Sequence, residues 1–223
     1  TSDSVTIGLR NWNLDNWGED VIALDIDAGI YLWNTSGGIS TASNVASAIT
    51  NAPTKSKFMI VSNPDRHLIC FGTETTIGTT STQDPMFIRW SDQDDFNDWT
   101  PSATNSSGSQ RVTGGSKIVT AISTRGQILF LTDTSAHGMS FIGAPFTFGF
   151  QKLGTNCGAI SPHCAVDISG MVYWMSSDGF YMFDGTVRKM PCSVEDFVFD
   201  NIDTTQLEQV YAGSNSAYGE VIW

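Results

Sequence analysis

Short runs of apolar and β-branched residues recur along the whole chain and are separated by turn-forming residues. Runs of about four to eight such residues, bounded by Gly, Pro, Asn, Asp or Ser, predict β-strands. Helical periodicity is sparse, with two short helix candidates. The pattern therefore predicts an all-β protein. The predicted strands cover residues 21–24, 30–33, 58–61, 67–71, 85–90, 117–122, 128–132, 138–142, 146–153, 165–168, 171–175, 180–183, 187–190, 206–212 and 218–223, and the helix candidates cover 42–49 and 193–199.

Two long stretches between these runs predict loops. Residues 73–84 and 100–115 are rich in Gly, Ser and Thr and hold too few apolar residues to pack by themselves. Loops of this length inside a compact domain are often functional or contact a partner.

A weak internal repeat refines the fold class. A strand–turn–strand segment starts at Gly126 and a similar one at Gly170, 44 positions later. A period in the forties is typical of four-stranded β-propeller blades. One blade cannot bury both faces by itself, and stacking blades around an axis buries them. We therefore predict a propeller-like array of four-stranded antiparallel blades, with a β-sandwich as the alternative.

The repeat divides the chain into five segments. Residues 1–57 form an N-terminal β segment with a candidate short helix, and 58–116 form blade-like hairpins with long loops. Residues 117–157 and 158–200 are one blade each, and 201–223 start a further blade. The chain begins without Met and stops inside a strand-like run, so we expect it to be a piece of a longer chain.

Charge and cysteine content restrict the function classes. With 23 acidic and 11 basic residues the formal net charge is −12, which disfavours nucleic-acid binding. No apolar stretch is long enough for a transmembrane helix. The four cysteines stand apart among apolar residues, so we expect them to be reduced and buried. A zinc site of Cys157, His163 and Cys164 is the alternative, although its spacing matches no standard module.

Two sets of residues are candidates for binding. The acidic loop 91–98 offers Asp92, Asp94 and Asp98 as weak calcium ligands, and a solvated turn is the alternative. Trp12, Trp17 and Trp33 could contact a sugar or a partner surface, and core packing is their alternative.

No catalytic motif is present in the sequence. The three histidines lie in separate segments, and no phosphate-binding glycine loop or nucleophile motif occurs. Asp178-Gly179 fits a hairpin turn, since its spacing differs from the Asp-box turn of sialidases. We expect a protein without catalytic residues and without a cofactor, and a propeller hydrolase is the remaining enzyme hypothesis.

Several segments together resemble structural proteins of short-tailed bacteriophages. These segments are 12–19, 88–92, 98–101, 146–158, 173–185 and 191–196. The resemblance is to the tail-nozzle or tubular protein B type and to the packaged-DNA stabilisation type, and it does not separate the two.

The resemblance implies a structural role in a virion tail, after assembly in the host cytoplasm. It implies a ring of copies, suspected to be a hexamer, that contacts other tail or portal-adaptor proteins. Genomic DNA would pass through this ring during ejection without sequence-specific binding, and an acidic surface is consistent with that. A carbohydrate-binding, host-recognition propeller is the alternative.

Overall fold

A computed structural model describes residues 11–39, 44–63 and 65–223 of the chain. The described residues form four antiparallel sheets of four strands each and one two-stranded hairpin. They contain one α-helix, α1 (Glu195–Asn201), and three short 3-10 helices. None of the helices within these ranges has the length and apolarity to span a membrane. The protein is therefore all-β and propeller-like.

Each sheet is one blade, made of four strands that are consecutive in the sequence. Blade 1 comprises β1 (Trp12–Trp17), β2 (Asp20–Asp25), β3 (Ile30–Trp33) and β4 (Ser47–Ala48); blade 2 comprises β5 (Phe58–Val61), β6 (Leu68–Phe71), β7 (Phe87–Trp90) and β8 (Gly108–Arg111). Blade 3 comprises β9 (Ile118–Thr124), β10 (Gln127–Thr132), β11 (Ser135–Gly143) and β12 (Thr147–Thr155). Blade 4 comprises β13 (Ala165–Ile168), β14 (Met171–Ser176), β15 (Gly179–Phe183) and β16 (Val187–Lys189), and the hairpin is β17 (Gly213–Asn215) with β18 (Glu220–Ile222).

The first strands of successive blades are neighbours. β1 lies beside β5, β5 beside β9, β9 beside β13, and β13 beside β17. Since each first strand also starts its sheet, the blades stack side by side with their first strands innermost. Gly126 and Gly170 occupy equivalent turns between the first and second strands of blades 3 and 4, with φ of 83° and 87°. The repeat found in the sequence is therefore a repeat of blades.

The hydrophobic core lies between the blades. Three clusters of buried apolar side chains fill the junctions of blades 1 and 2, blades 2 and 3, and blades 3 and 4, the last cluster extending to α1 and the hairpin. Fully burying one large apolar side chain stabilises a fold by about 1.5–3 kcal/mol. Most of the stability therefore comes from blade-to-blade packing.

Polar side chains of β1 link the first two blades. Asn13 Oδ1 accepts a hydrogen bond from the Met59 backbone N–H at 2.7 Å, and Asp15 Oδ2 accepts one from the Val61 N–H at 2.7 Å. Both N–H groups belong to β5, the innermost strand of blade 2, whose sheet pairing is with β6 alone. The two side chains therefore satisfy donors that the sheet leaves free.

We expect Asn13→Ala to destabilise the protein by about 1–3 kcal/mol, because the Met59 N–H is then buried without an acceptor. Asn16→Ala is the matched control on the same strand, since its side chain is exposed. The control should change the free energy of unfolding by no more than about 0.5 kcal/mol. Urea unfolding measures both variants, and equal midpoints would contradict the role of Asn13.

Several local predictions differ from the structure. The helix candidate 42–49 lies partly outside the described residues, and at its described end Ser47–Ala48 form β4, since Ala48 pairs with Tyr31. The sequence did not predict β1, because half of its residues are polar. β8 lies inside the predicted loop 100–115, because an outer strand of a blade needs few apolar side chains. Within the predicted strand 206–212, Leu207–Gln209 form a 3-10 helix.

Candidate functional site: the loop groove of blade 2

The two long loops of blade 2 form an open groove beside blade 1. One loop joins β6 to β7, and the other joins β7 to β8. With the segment before β5 they line an open volume of about 660 Å³. Its polar lining includes Asn51, Thr54, Gly78, Asp95, Asn97 and Asp98.

A buried carboxylate fixes the first of these loops. Glu74 is fully buried. Its Oε1 accepts a hydrogen bond from Thr54 Oγ1 at 2.6 Å, and its Oε2 accepts one from the Gly78 N–H at 2.8 Å. The buried Arg89 guanidinium donates to the Thr75 carbonyl at 2.7 Å. Burial lowers the pKa of Arg89, and the nearby Cys70 and Glu74 oppose that shift. This loop is therefore held from inside by two buried charged residues.

Short hydrogen bonds to aspartate carboxylates hold the second loop in place. Asp92 Oδ1 accepts from Ser106 Oγ at 2.6 Å and from the Ser106 N–H at 2.7 Å. Asp98 Oδ2 accepts from Asn105 Nδ2 at 2.9 Å. Burial opposes ionisation of Asp92, but the hydrogen bonds from Ser106 outweigh it and lower the pKa of Asp92. The acidic loop is therefore folded on itself.

The three calcium candidates have different side-chain partners, although the Asp92 N–H donates to the Asp98 carbonyl at 2.7 Å. Asp92 and Asp98 each bind their own part of the loop, as described above, and Asp94 pairs with Arg66 at 3.1 Å. Among the described residues, no group of three or more His, Cys, Asp or Glu side chains could hold a metal ion. The carboxylates instead act as hydrogen-bond acceptors that shape the groove.

The three tryptophan candidates occupy different environments. Trp17 is buried against Phe96, with its ring centroid 5.4 Å away. Trp33 is half-buried and donates to the Asn44 carbonyl at 3.3 Å. Trp12 is 45% exposed beside Tyr31. Of the three, Trp12 is the most available for contact.

A smaller cavity of about 150 Å³ lies where the innermost strands begin. Its lining includes Asn11, Asp27, Lys57, Lys117, Pro162 and Glu208. Lys57 Nζ and Asp27 Oδ2 form an ion pair at 2.5 Å. Burial opposes ionisation of Asp27, yet hydrogen bonds from Lys57 and Gln83 prevail and lower its pKa. Among the lining residues that the structure describes, polar contacts are available and no nucleophile stands beside a base.

The structure contains a close serine–histidine pair that the sequence did not predict. Ser135 Oγ and His137 Nε2 are 2.8 Å apart on one face of β11. The Ser-x-His spacing is the sequence signal that could have indicated this pair. Both residues are buried, and the His137 ring stacks on Phe130 at an interplanar angle of 9°. Burial and the nearby Lys152 lower the pKa of His137. Ser135 Oγ also contacts Thr132 Oγ1 at 2.9 Å. The pair is therefore part of the packed interior.

The cysteines are free thiols, as far as the described residues extend. Cys70, Cys157 and Cys164 are buried, and Cys192 is half-buried. The zinc candidates Cys157, His163 and Cys164 do not form a cluster of the kind that could hold a metal. Burial raises the pKa of Cys70 to about 12, with small opposing effects of Ser56 and Arg89.

This shift predicts a pH dependence of stability. Because the Cys70 pKa rises from 9.0 to about 12 on folding, the folded protein keeps a proton that the unfolded chain loses. The stabilisation is complete below pH 9 and is lost as the pH rises towards about 12. We expect Cys70→Ala to reduce the loss of stability over this range by up to about 1.4 kcal/mol per pH unit. Unfolding titrations of both proteins measure it, and equal slopes would contradict it.

The described residues define an all-β, propeller-like protein in which two long loops line a groove. No family model and no curated protein sequence matches the chain. A protein of Bacteroides fragilis NCTC 9343, assigned as exported, is 10% identical with a TM-score of 0.47, covering 98% of this chain and 60% of that one. The CNH domain of AfRom2 is 8% identical with a TM-score of 0.49, covering 86% and 62%. A protein assigned as a gluconolactonase is 14% identical with a TM-score of 0.41, covering 77% and 60%.

The chain thus spans about 60% of the length of these structures. Identities of 8–14% do not support transfer of an activity from any of them.

Proposed function

We propose that this protein is a non-catalytic structural component of a phage virion tail, in which the propeller is a rigid platform and the loop groove contacts a neighbouring protein. The observation that carries the proposal is that side-chain hydrogen bonds hold both long loops of blade 2 in place. Glu74 and Arg89 hold one loop, and Asp92 and Asp98 hold the other. Ordered loops on a rigid scaffold are where proteins commonly place binding surfaces.

The chemistry of the groove suits contact better than turnover. Its rim carries the amides of Asn51 and Asn97 and the carboxylates of Asp95 and Asp98. None of the described residues that line it is a histidine or a cysteine. Polar rims of this kind make hydrogen bonds across protein interfaces. The net charge of −12 supports a part of the tail that does not retain DNA.

The proposal is tested by filling the groove. Asn51→Arg combined with Asn97→Arg places two long cations on its rim, where both residues are exposed. We expect an unchanged melting temperature and a loss of incorporation into virions of about tenfold or more, since interfaces tolerate unpaired charges poorly. Ser216→Arg, at an exposed site in the distant hairpin, is the control and should be incorporated normally. Absence of the wild-type protein from purified virions would refute the proposal.

A carbohydrate-binding propeller is the second candidate function. The same groove offers Asn51, Asp95 and Asn97, whose amide and carboxylate groups are suitable partners for sugar hydroxyls. A glycan array that includes host envelope polysaccharides tests it. Binding that is abolished by the Asn51→Arg and Asn97→Arg variant would favour this function, and no binding to any glycan would exclude it for the glycans tested.

A further inference from the structure

The hairpin formed by β11 and β12 ends in an exposed apolar tip. Residues 138–151 contain no charged side chain. Within them, Phe141 is 42%, Ile142 57% and Phe146 72% exposed. We name residues 141–146 the blade 3 tip. Exposed groups of large apolar side chains mark sites of interaction.

The turn at this tip differs in composition from the other short turns of the blades. It consists of residues 144–146, which are Ala, Pro and Phe. The other connections of two to four residues within the described blades each contain at least one Ser, Thr, Asp, Glu or Arg, and they are 18–19, 26–29, 125–126, 133–134, 169–170, 177–178 and 184–186. Reversal of the chain does not require an apolar turn, so this composition indicates contact with apolar surroundings.

The tip projects from its blade. β10 pairs with β11 as far as Met139, and residues 140–143 pair with β12 alone. At about 3.3 Å per residue, the hairpin extends about 13 Å beyond the last residue pair of β10 and β11. The tip is therefore a convex projection and not part of a groove.

The base of the hairpin is fixed to blade 2. Thr147 Oγ1 donates a hydrogen bond to the Ser106 carbonyl at 2.9 Å. The buried Phe148 ring packs edge-on against Trp90, with ring centroids 5.3 Å apart. The tip is therefore held in place before it meets a partner, which lowers the entropy cost of binding.

The tip carries few polar groups that an apolar medium would leave unbonded. Thr147 has the only polar side chain in residues 141–150, and its hydroxyl is already bonded as described above. The Phe146 N–H donates to the Gly143 carbonyl at 3.2 Å, and Pro145 has no N–H. Transfer of such a segment out of water is inexpensive, because unbonded polar groups are what opposes it.

From these observations we propose that the blade 3 tip inserts into the interface of a lipid bilayer as a shallow apolar wedge. Phe141 and Ile142 are consecutive in β11, so their side chains lie on opposite faces of the hairpin, and both are exposed. A protein that docks on one face covers one of them, whereas lipid surrounds the tip and contacts both. Buried apolar area drives interfacial insertion of this kind.

The charge of the protein predicts which lipids the tip enters. The formal net charge is −12, and anionic headgroups repel an acidic protein. Zwitterionic phosphatidylcholine is therefore the preferred surface, and insertion depends on the apolar side chains of the tip. The proposal uses no residue of the loop groove and is independent of the virion proposal.

Flotation with phosphatidylcholine vesicles tests the proposal. We expect the wild-type protein to float with the vesicles, and Ile142→Ser combined with Phe146→Ser to lower its apparent affinity by about tenfold or more with an unchanged melting temperature. Tyr218→Ser removes a ring that is 78% exposed in the turn between β17 and β18, and this control should bind like the wild type. Absence of wild-type binding, or equal binding of the tip variant, would overturn the proposal.

Replacing part of the phosphatidylcholine by phosphatidylglycerol should weaken binding. Stronger binding to the anionic vesicles would show that a basic surface attaches the protein, and the proposal would be wrong. The groove variant Asn51→Arg with Asn97→Arg should still float with phosphatidylcholine vesicles, whatever its incorporation into virions. Failure of this inference is therefore distinguishable from failure of the proposed function.

A fluorescent label locates the inserted segment. Phe146→Cys and, as the control, Ser216→Cys are each labelled with an environment-sensitive dye in a Cys192→Ser background, because the other three cysteines are buried. Vesicles should shift the emission of the label at position 146 to the blue and leave that at position 216 unchanged. An unchanged emission at position 146 would overturn the proposal. Protection of Phe146 from hydroxyl radicals in purified virions without added lipid would show that a neighbouring protein covers the tip, and would also overturn it.

Discussion

Gly158→Ala is expected to destabilise the protein by about 3 kcal/mol or more, because the new methyl group has no space. A Cβ at this position would lie 2.2 Å from both the carbonyl carbon and the oxygen of Asp133, and 2.4 Å from the Thr134 nitrogen. The contact is with backbone, which cannot rotate away as a side chain can. Hydrogen bonds on both sides hold the segments together, since the Cys157 N–H donates to the Thr134 carbonyl and the Ala159 N–H donates to the Thr132 carbonyl.

The control for this variant is Gly213→Ala. A Cβ at Gly213 meets nothing within 4 Å, and this glycine, like Gly158, has no positive φ that would strain an alanine. We expect a change of no more than about 0.5 kcal/mol for the control. Chemical unfolding of both variants measures the difference. If Gly158→Ala unfolds at the same denaturant concentration as the wild type, the close approach of these two segments is wrong.

Glu74→Ala is expected to destabilise the protein by about 3–5 kcal/mol, as removal of one member of a buried charged network does. The change leaves Thr54 Oγ1 and the Gly78 N–H without their acceptor, and it leaves the buried Arg89 cation without a nearby carboxylate. It also releases the loop between β6 and β7. Limited proteolysis should therefore cut this loop in the variant at temperatures where the wild type resists.

Two further variants make this prediction specific. Glu74→Ala combined with Arg89→Met should recover part of the lost stability, because the uncompensated cation is removed with the carboxylate. Glu208→Ala removes an exposed carboxylate and should change stability by no more than about 0.5 kcal/mol. A Glu74→Ala protein with the melting curve of the wild type would contradict the role of Glu74 and weaken the case for a fixed groove.

The groove could be predicted only in part from the sequence. The composition of residues 73–84 and 100–115 indicates loops, and their length indicates a contact function. The buried state of Glu74 was not predictable, because its partner Thr54 is 20 residues away in another segment. The spacing of the acidic residues after Trp90 indicated a cation site. In the structure, Ser106 donates a hydrogen bond to Asp92 and Asn105 donates one to Asp98.

The sequence by itself determined the class of fold. Apolar strands of period two, turn residues between them and a 44-residue spacing between Gly126 and Gly170 are local signals, and they specify a series of antiparallel blades. Tertiary structure alone decided which side chains meet. It places Asn13 where it accepts a hydrogen bond from β5, and it buries Ser135 and His137. It also buries Trp17 and leaves Trp12 exposed. The physical reason is that alternation divides a strand into two faces, and only the stacking of neighbouring blades determines whether a face is covered.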